Sequence, residues 1–340
     1  MTSIWLRTGL LVTAVLAGGV QTAQAEVNIY SARTEALIKP LLDQFSAQTG
    51  IKVNLVSGGD DELISRLRIE GSKSQADLLI TADAGRLHRA KELNLLRELH
   101  SERIDAAVPA NLRDVDGTWI GLTMRARPIF YRKSAVDPTQ LSTYEALTDA
   151  QWAGRICIRS SSNIYNQSLI ASMIASVGAD AAETFASGLV ANLAKPPGGG
   201  DTDQLKAAAA GVCDLAIANT YYFGRLMASD SAEDRAVAEQ LGVFWPNQGD
   251  RGTHVNISGV ALTRAAKNSV DAIALVEFML TPEAQNWYSE VNNEYPVVSG
   301  VEPSAKLASL GAFNADALNL TLLGENNRAA VELMDRAGWK

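Results

Sequence analysis

The sequence predicts an α/β protein of two lobes, on three observations. Short apolar strands alternate with amphipathic helices from residue 27 onward. The chain is long for a single core and short for three. A second run of strands and helices follows a long extended stretch near residue 125. Residues 27–31 (Val-Asn-Ile-Tyr-Ser) read as the first strand, and Leu37, Ile38, Leu41, Leu42 and Phe45 recur at the spacing of one helical face over 35–45. Gly50 stops that helix. Residues 51–56 alternate as a strand, the turn 57–61 leads into a helix over 62–70, and 77–81 is a near-continuously apolar third strand. Such an order makes an open parallel sheet covered by helices. Residues 124–131 read as an extended crossover, 149–245 as a second α/β unit, 257–262 as the return strand, and the tail from 271 as helical. Each lobe is therefore expected to be a mostly parallel sheet flanked by helices, with crossover strands joining them. The N-terminal lobe comprises 26–125 and about 257–295; the C-terminal lobe comprises 126–256 and about 296–340.

Residues 1–25 carry one charge, Arg7, then an uncharged stretch over 8–20 and the small-residue pattern Ala23-Gln24-Ala25. This is the pattern of a cleavable secretory signal, and its apolar stretch is short of the roughly 18 to 20 residues that span a bilayer. The mature chain is expected to begin at Glu26, with no nearby Cys to carry a lipid. The whole chain has 30 basic and 38 acidic side chains, a net −8 that becomes −9 once Arg7 is removed. An acidic protein with no basic run is a poor candidate for nucleic acid or anionic membranes and a reasonable collector of cations. The two cysteines, Cys157 and Cys213, suggest a disulfide in an oxidising compartment. Each lies eight residues before a tyrosine, Tyr165 or Tyr221. If 156–158 and 214–218 are neighbouring strands, a bridge would set the two tyrosine-bearing ends side by side. Two buried free thiols are the other reading.

Tyr221 and Tyr222 follow an apolar strand, and Tyr165 lies in a Ser/Asn-rich loop. Phenolate oxygen is a hard anionic ligand suited to a small, highly charged cation, and three would cancel the charge of a trivalent ion. A free phenol titrates near pH ~10, so a strong cation is needed to ionise three of them together. Adjacent tyrosines also arise by packing alone, one inward and one outward. His88, His100 and His254 have no metal-ligand spacing. The run Asp60-Asp61-Glu62 is the common pattern of a solvated turn and helix start.

Four segments in order resemble the ferric-ion-binding family among the periplasmic substrate-binding proteins of ABC importers. They are Asn28-Ile29-Tyr30-Ser31-Ala32-Arg33, Gly121-Leu122-Thr123-Met124-Arg125-Ala126-Arg127, Tyr165 with its loop, and Asn219-Thr220-Tyr221-Tyr222-Phe223-Gly224-Arg225. The likeness extends over essentially the whole chain beyond residue 25. It implies a two-lobed periplasmic binding protein fold and a monomeric carrier, not an enzyme. It implies Fe(III) held between the lobes by Tyr165, Tyr221 and Tyr222 and delivered to an inner-membrane ABC permease and its ATPase. Several members carry a His-Tyr pair where this chain has Thr34-Glu35. Glu35 could supply a carboxylate oxygen there, or an anion such as carbonate completes the coordination, supported by Arg33, Thr34, Arg125 and Arg127. Strand alternation puts Arg125 and Arg127 on one face, and guanidinium groups bind planar oxyanions bidentately. Arg225 is a candidate for lowering phenol pKa values from behind the ligands. Two rivals remain: a binder of a small oxyanion or organic solute using the same arginines, and an exported hydrolase using Ser160, Ser161 or Ser162, for which no histidine has an evident route.

Overall fold

The computed structural model describes residues 25–340. The signal read at 1–25 lies outside the described residues apart from Ala25. Among the described residues eleven strands form two sheets: β1 (Glu26–Ser31), β2 (Lys52–Ser57), β3 (Leu78–Ala82), β4 (Leu96–Arg97), β5 (Trp119–Ala126), β6 (Ile129–Arg132), β7 (Ile156–Cys157), β8 (Leu215–Ile217), β9 (Leu241–Phe244), β10 (Val255–Thr263) and β11 (Tyr295–Pro296). The first sheet has the order β11-β5-β10-β3-β1-β2, with β4 also paired to β10; the second has the order β7-β8-β6-β9.

Parallel pairing is confined to β2–β1–β3 and to β7–β8, and every other pair is antiparallel. Both sheets are thus mixed rather than mostly parallel, because the strands that carry the chain between them run against the parallel set. The crossover expected over 124–131 is two strands in two sheets. β5 ends at Ala126, Arg127 and Pro128 bridge the gap, and β6 begins at Ile129. Pro128 has no N–H to give a ladder, which fixes the break. The return strand β10 begins at Val255 and is buried along its whole length.

The helix expected over 35–45 is split. A 3₁₀ turn, Glu35–Leu37, precedes the helix Lys39–Thr49, in whose first turn Pro40 sits. Proline is tolerated there because its missing N–H has no intrahelical partner anyway. Gly50, at φ 74°, caps the end in the left-handed region that only glycine enters freely.

Two apolar cores lie on the two sheets. The first gathers Ile29, Leu79, Trp119, Val260 and Leu275; the second gathers Ile129, Trp152, Leu169, Phe185 and Leu215. The tail serves both, since Leu320 and Leu323 join the first core whereas Leu333, Met334 and Trp339 join the second. Helix Thr321–Glu325 packs between helices Ala84–Glu92 and Ile164–Val177, one from each side. Gly324 lets it sit against His88, where a Cβ would come within 2.1 Å of the imidazole.

Cys157 and Cys213 form a disulfide with a Cα–Cα distance of 5.9 Å, joining β7 to the turn before β8. These strands pair in parallel, Ile156 opposite Leu215 and Cys157 opposite Ala216. The bridge spans 56 residues. Its loss through a Cys157→Ser, Cys213→Ser pair is expected to lower unfolding stability by about 4 kcal/mol from the loop-closure term. A urea midpoint unchanged by the double substitution would contradict this.

Candidate functional site

Both tyrosine-bearing segments end a strand and begin a helix. After β7 the chain turns through 158–163, and Asn163 accepts a hydrogen bond from Tyr165 N (3.0 Å) at the start of helix Ile164–Val177. After β8 comes Asn219, then helix Thr220–Met227 with Tyr221 and Tyr222 in its first turn. Three phenols thus project from the first turns of two helices, whose N-termini carry partial positive charge that favours an anionic neighbour.

The Tyr221 hydroxyl donates to the Tyr165 hydroxyl at 3.1 Å, and the Tyr221 and Tyr222 rings lie 4.2 Å apart. Burial, then the neighbouring Tyr222, pushes the Tyr165 phenol up to about 12 despite nearby Arg125. Burial and the neighbouring tyrosines raise Tyr221 well above its ordinary value. Tyr165 and Tyr221 are therefore protonated at neutral pH unless a cation displaces their protons. Among the described residues no group of three or more His, Cys, Asp or Glu is arranged to hold a metal.

The cavity the phenols face is lined across the gap by Arg33, Thr34, Asp60, Arg125, Ser258 and Glu294. Glu294 organises that wall. It is 1% exposed, and its Oε1 accepts from Arg125 Nη2 at 2.9 Å. Its Oε2 accepts from Thr123 Oγ1 at 2.6 Å and also from Arg33 Nη2. Burial alone would raise this carboxyl, but Arg33, Arg125 and Thr123 outweigh it and hold it at about 2. The guanidiniums of Arg125 and Arg225 lie 5.6 and 5.1 Å from the Tyr221 ring centroid, Arg225 itself being exposed.

The sequence-read residues divide accordingly. Tyr165, Tyr221, Tyr222, Arg33, Thr34, Arg125 and Arg225 come together at one cavity. Arg127 does not share a face with Arg125. It is 1% exposed and turned into the second lobe, where Nη1 donates to Asp201 (2.9 Å) and Asn219 (3.0 Å) and Nη2 donates to Asn166 (2.7 Å). Alternation holds only within a strand, and the strand stops at Ala126. Glu35 is exposed in its 3₁₀ turn and is not among the lining residues. Asp60, read as part of a solvated turn, instead lines the cavity and accepts from Ala82 N at 2.9 Å. Glu294 and Ser258 were missed, and neither carries a local signal. Ser160 Oγ faces Ser162 Oγ at 3.0 Å, and none of the three histidines is hydrogen-bonded to it.

Residues 41–315 match the model of a family described as bacterial extracellular solute-binding protein. The chain is also 46% identical over 317 residues to iron uptake protein A1 of Synechocystis, covering 93% of this chain and 88% of that one. This chain belongs to the ferric-ion-binding branch of that family. Among solved structures, the solute-binding protein resembles the Trichodesmium protein described as in complex with iron and citrate ligands. The TM-score is 0.91 and the identity 49%, over 93% of this chain and all of that one. It also resembles the ferric binding protein from Campylobacter jejuni, with TM-score 0.87 and 41% identity over 92% of this chain and all of that one.

Proposed function

We propose that this solute-binding protein captures Fe(III) in the cavity between its two sheets and hands it to an inner-membrane ABC permease with its ATPase. It is a carrier and not an enzyme, as its relatives are. The observation that carries the reading is the phenol cluster, with two hydroxyls already 3.1 Å apart and the third ring tilted against that of Tyr221 at 4.2 Å. Tyr165, Tyr221 and Tyr222 are the metal ligands, and their three phenolates neutralise the ion. Arg33, Thr34 and Arg125 face the remaining coordination positions and suit a synergistic anion such as carbonate. Arg225 supports the ligands from the solvent side. The exposed position of Glu35 speaks against its being a ligand, whereas Arg127 positions the two tyrosine loops. The lobes are 26–125 with about 257–295 and 126–256 with about 296–340, the helix Thr321–Glu325 lying across both. They close about the crossovers near Ala126 and Val255. The exported family and the signal pattern at 1–25 support a periplasmic location, and we read the protein as acting as a monomer.

Ferric loading is expected to give a visible phenolate-to-iron charge-transfer band and one iron per chain by metal analysis. Because Tyr165 and Tyr221 hold their protons in the free protein, loading near pH 7 should release at least about two protons per ion, and affinity should fall as pH falls. Proton release in weakly buffered solution tests both points. A colourless loaded protein, or release of no protons, overturns the assignment and favours an oxyanion binder.

A further inference from the structure

We propose that Glu294 selects the charge of the anion that accompanies the ion, by removing one unit of positive charge from the wall formed by Arg33 and Arg125. This rests on the ferric reading above and concerns the same cavity. Three phenolates leave the bound ion with no net charge, so the wall decides what else can enter. Arg33 and Arg125 alone would present two positive charges and favour a doubly charged oxyanion. Glu294, buried between them and bonded to both, leaves one. Asp60 on the same wall is matched by Arg86 at 3.5 Å, and Arg225 opens to solvent, so neither alters the balance at the buried end.

The same contacts decide which donors remain. Glu294 takes one Nη of each arginine, and Arg125 still has Nε and Nη1 buried without a partner among the described residues. Arg125 is 2% exposed and lines the cavity, so these donors have no access to bulk water. Unpaired buried donors on a charged group are costly, and an anion's oxygens relieve them. The wall is therefore built to receive an oxyanion and tuned to receive one of low charge. Ser258 Oγ and Thr123 Oγ1 hold the carboxylate in register, 3.4 and 2.6 Å from its two oxygens, so its charge is fixed in place.

The test compares the mature full chain with Glu294→Gln, Arg33→Gln and the double variant. Each is loaded with ferric ion in acetate or in sulfate, singly and doubly charged across the neutral range. The readout is iron retained against a competing chelator, followed by the visible band. Glu294→Gln is expected to raise the sulfate-to-acetate retention ratio by about tenfold or more, the scale of one unit charge at a poorly screened site. Arg33→Gln should move the ratio the other way. The double variant restores the net charge and should return within about twofold of the starting ratio, whereas a purely structural role would compound the damage. It also removes both members of a buried pair, so it serves as the deciding protein if Glu294→Gln alone does not fold. An unchanged ratio in Glu294→Gln, or a double variant further from the native ratio than either single one, overturns the proposal. A native protein with no band in either anion overturns the ferric reading, and this proposal with it.

Discussion

Tyr221→Phe is expected to lower ferric affinity by at least about a thousandfold, some 4 kcal/mol. Of the three phenols this one is central. Its hydroxyl is 3.1 Å from that of Tyr165, its ring is 4.2 Å from that of Tyr222, and two guanidiniums stand over its face. Phenylalanine keeps the ring and its packing and deletes only the anionic oxygen. The fold should move little, by about 1 kcal/mol, the worth of one hydrogen bond between neutral groups. The site then has one negative charge too few for a trivalent ion, in surroundings where burial already opposes ionisation. Titration calorimetry against a ferric chelate, with thermal melts as the folding control, checks both halves. A variant that keeps its colour and stoichiometry would show that Tyr221 is packing, not ligand.

Arg127→Met has the second large expected effect, and it falls on stability first. The guanidinium is enclosed by Asp201, Asn219 and Asn166. Asp201 Oδ2 also accepts from Asn219 N at 2.8 Å, and Asn166 Nδ2 donates to the carbonyl oxygens of Arg159 (2.8 Å) and Ser160 (3.1 Å). Arg127 thus ties the loop before Tyr165 to the residue that starts the Tyr221 helix. Its removal leaves the buried Asp201 with Arg159, 3.5 Å away, as its one charged partner among the described residues, and should cost about 3–5 kcal/mol. Replacing Asp201 by Leu in the same chain should recover much of that, because the penalty comes from the charge left behind. Denaturant midpoints for the single and double variants decide it. A single variant as stable as the native chain would show that the cage is solvated.

The tyrosines were legible because phenols in pairs at strand ends are chemically conspicuous and sit within short motifs. The disulfide was legible from two cysteines at matching distances from those tyrosines. Glu294 was not, because it is one acid in an unremarked tail segment. Only the pairing of β11 with β5, Tyr295 opposite Met124, carries it to arginines far away in sequence. Arg127 was misread for a different reason. Side-chain parity along a strand was extended past the residue where the chain leaves its sheet, and Pro128 was the available warning. The first parallel strands could be read from hydrophobic pattern alone. Two-residue strands such as β4 and β11 lack the length to show a period.

The phenol trio belongs to one rigid piece. Both of its turns spring from neighbouring strands of the second sheet, stitched at one end by sulfur and at the other by the Arg127 cage. Parting the halves therefore strips away only the opposing arginine face and leaves the grip itself whole. On the proposed reading, unloading begins at that face, by hydration or exchange of whatever it shields. On the proposed carrier reading, a receiving transporter would pry the molecule ajar and let water and protons finish the job, without distorting the claw.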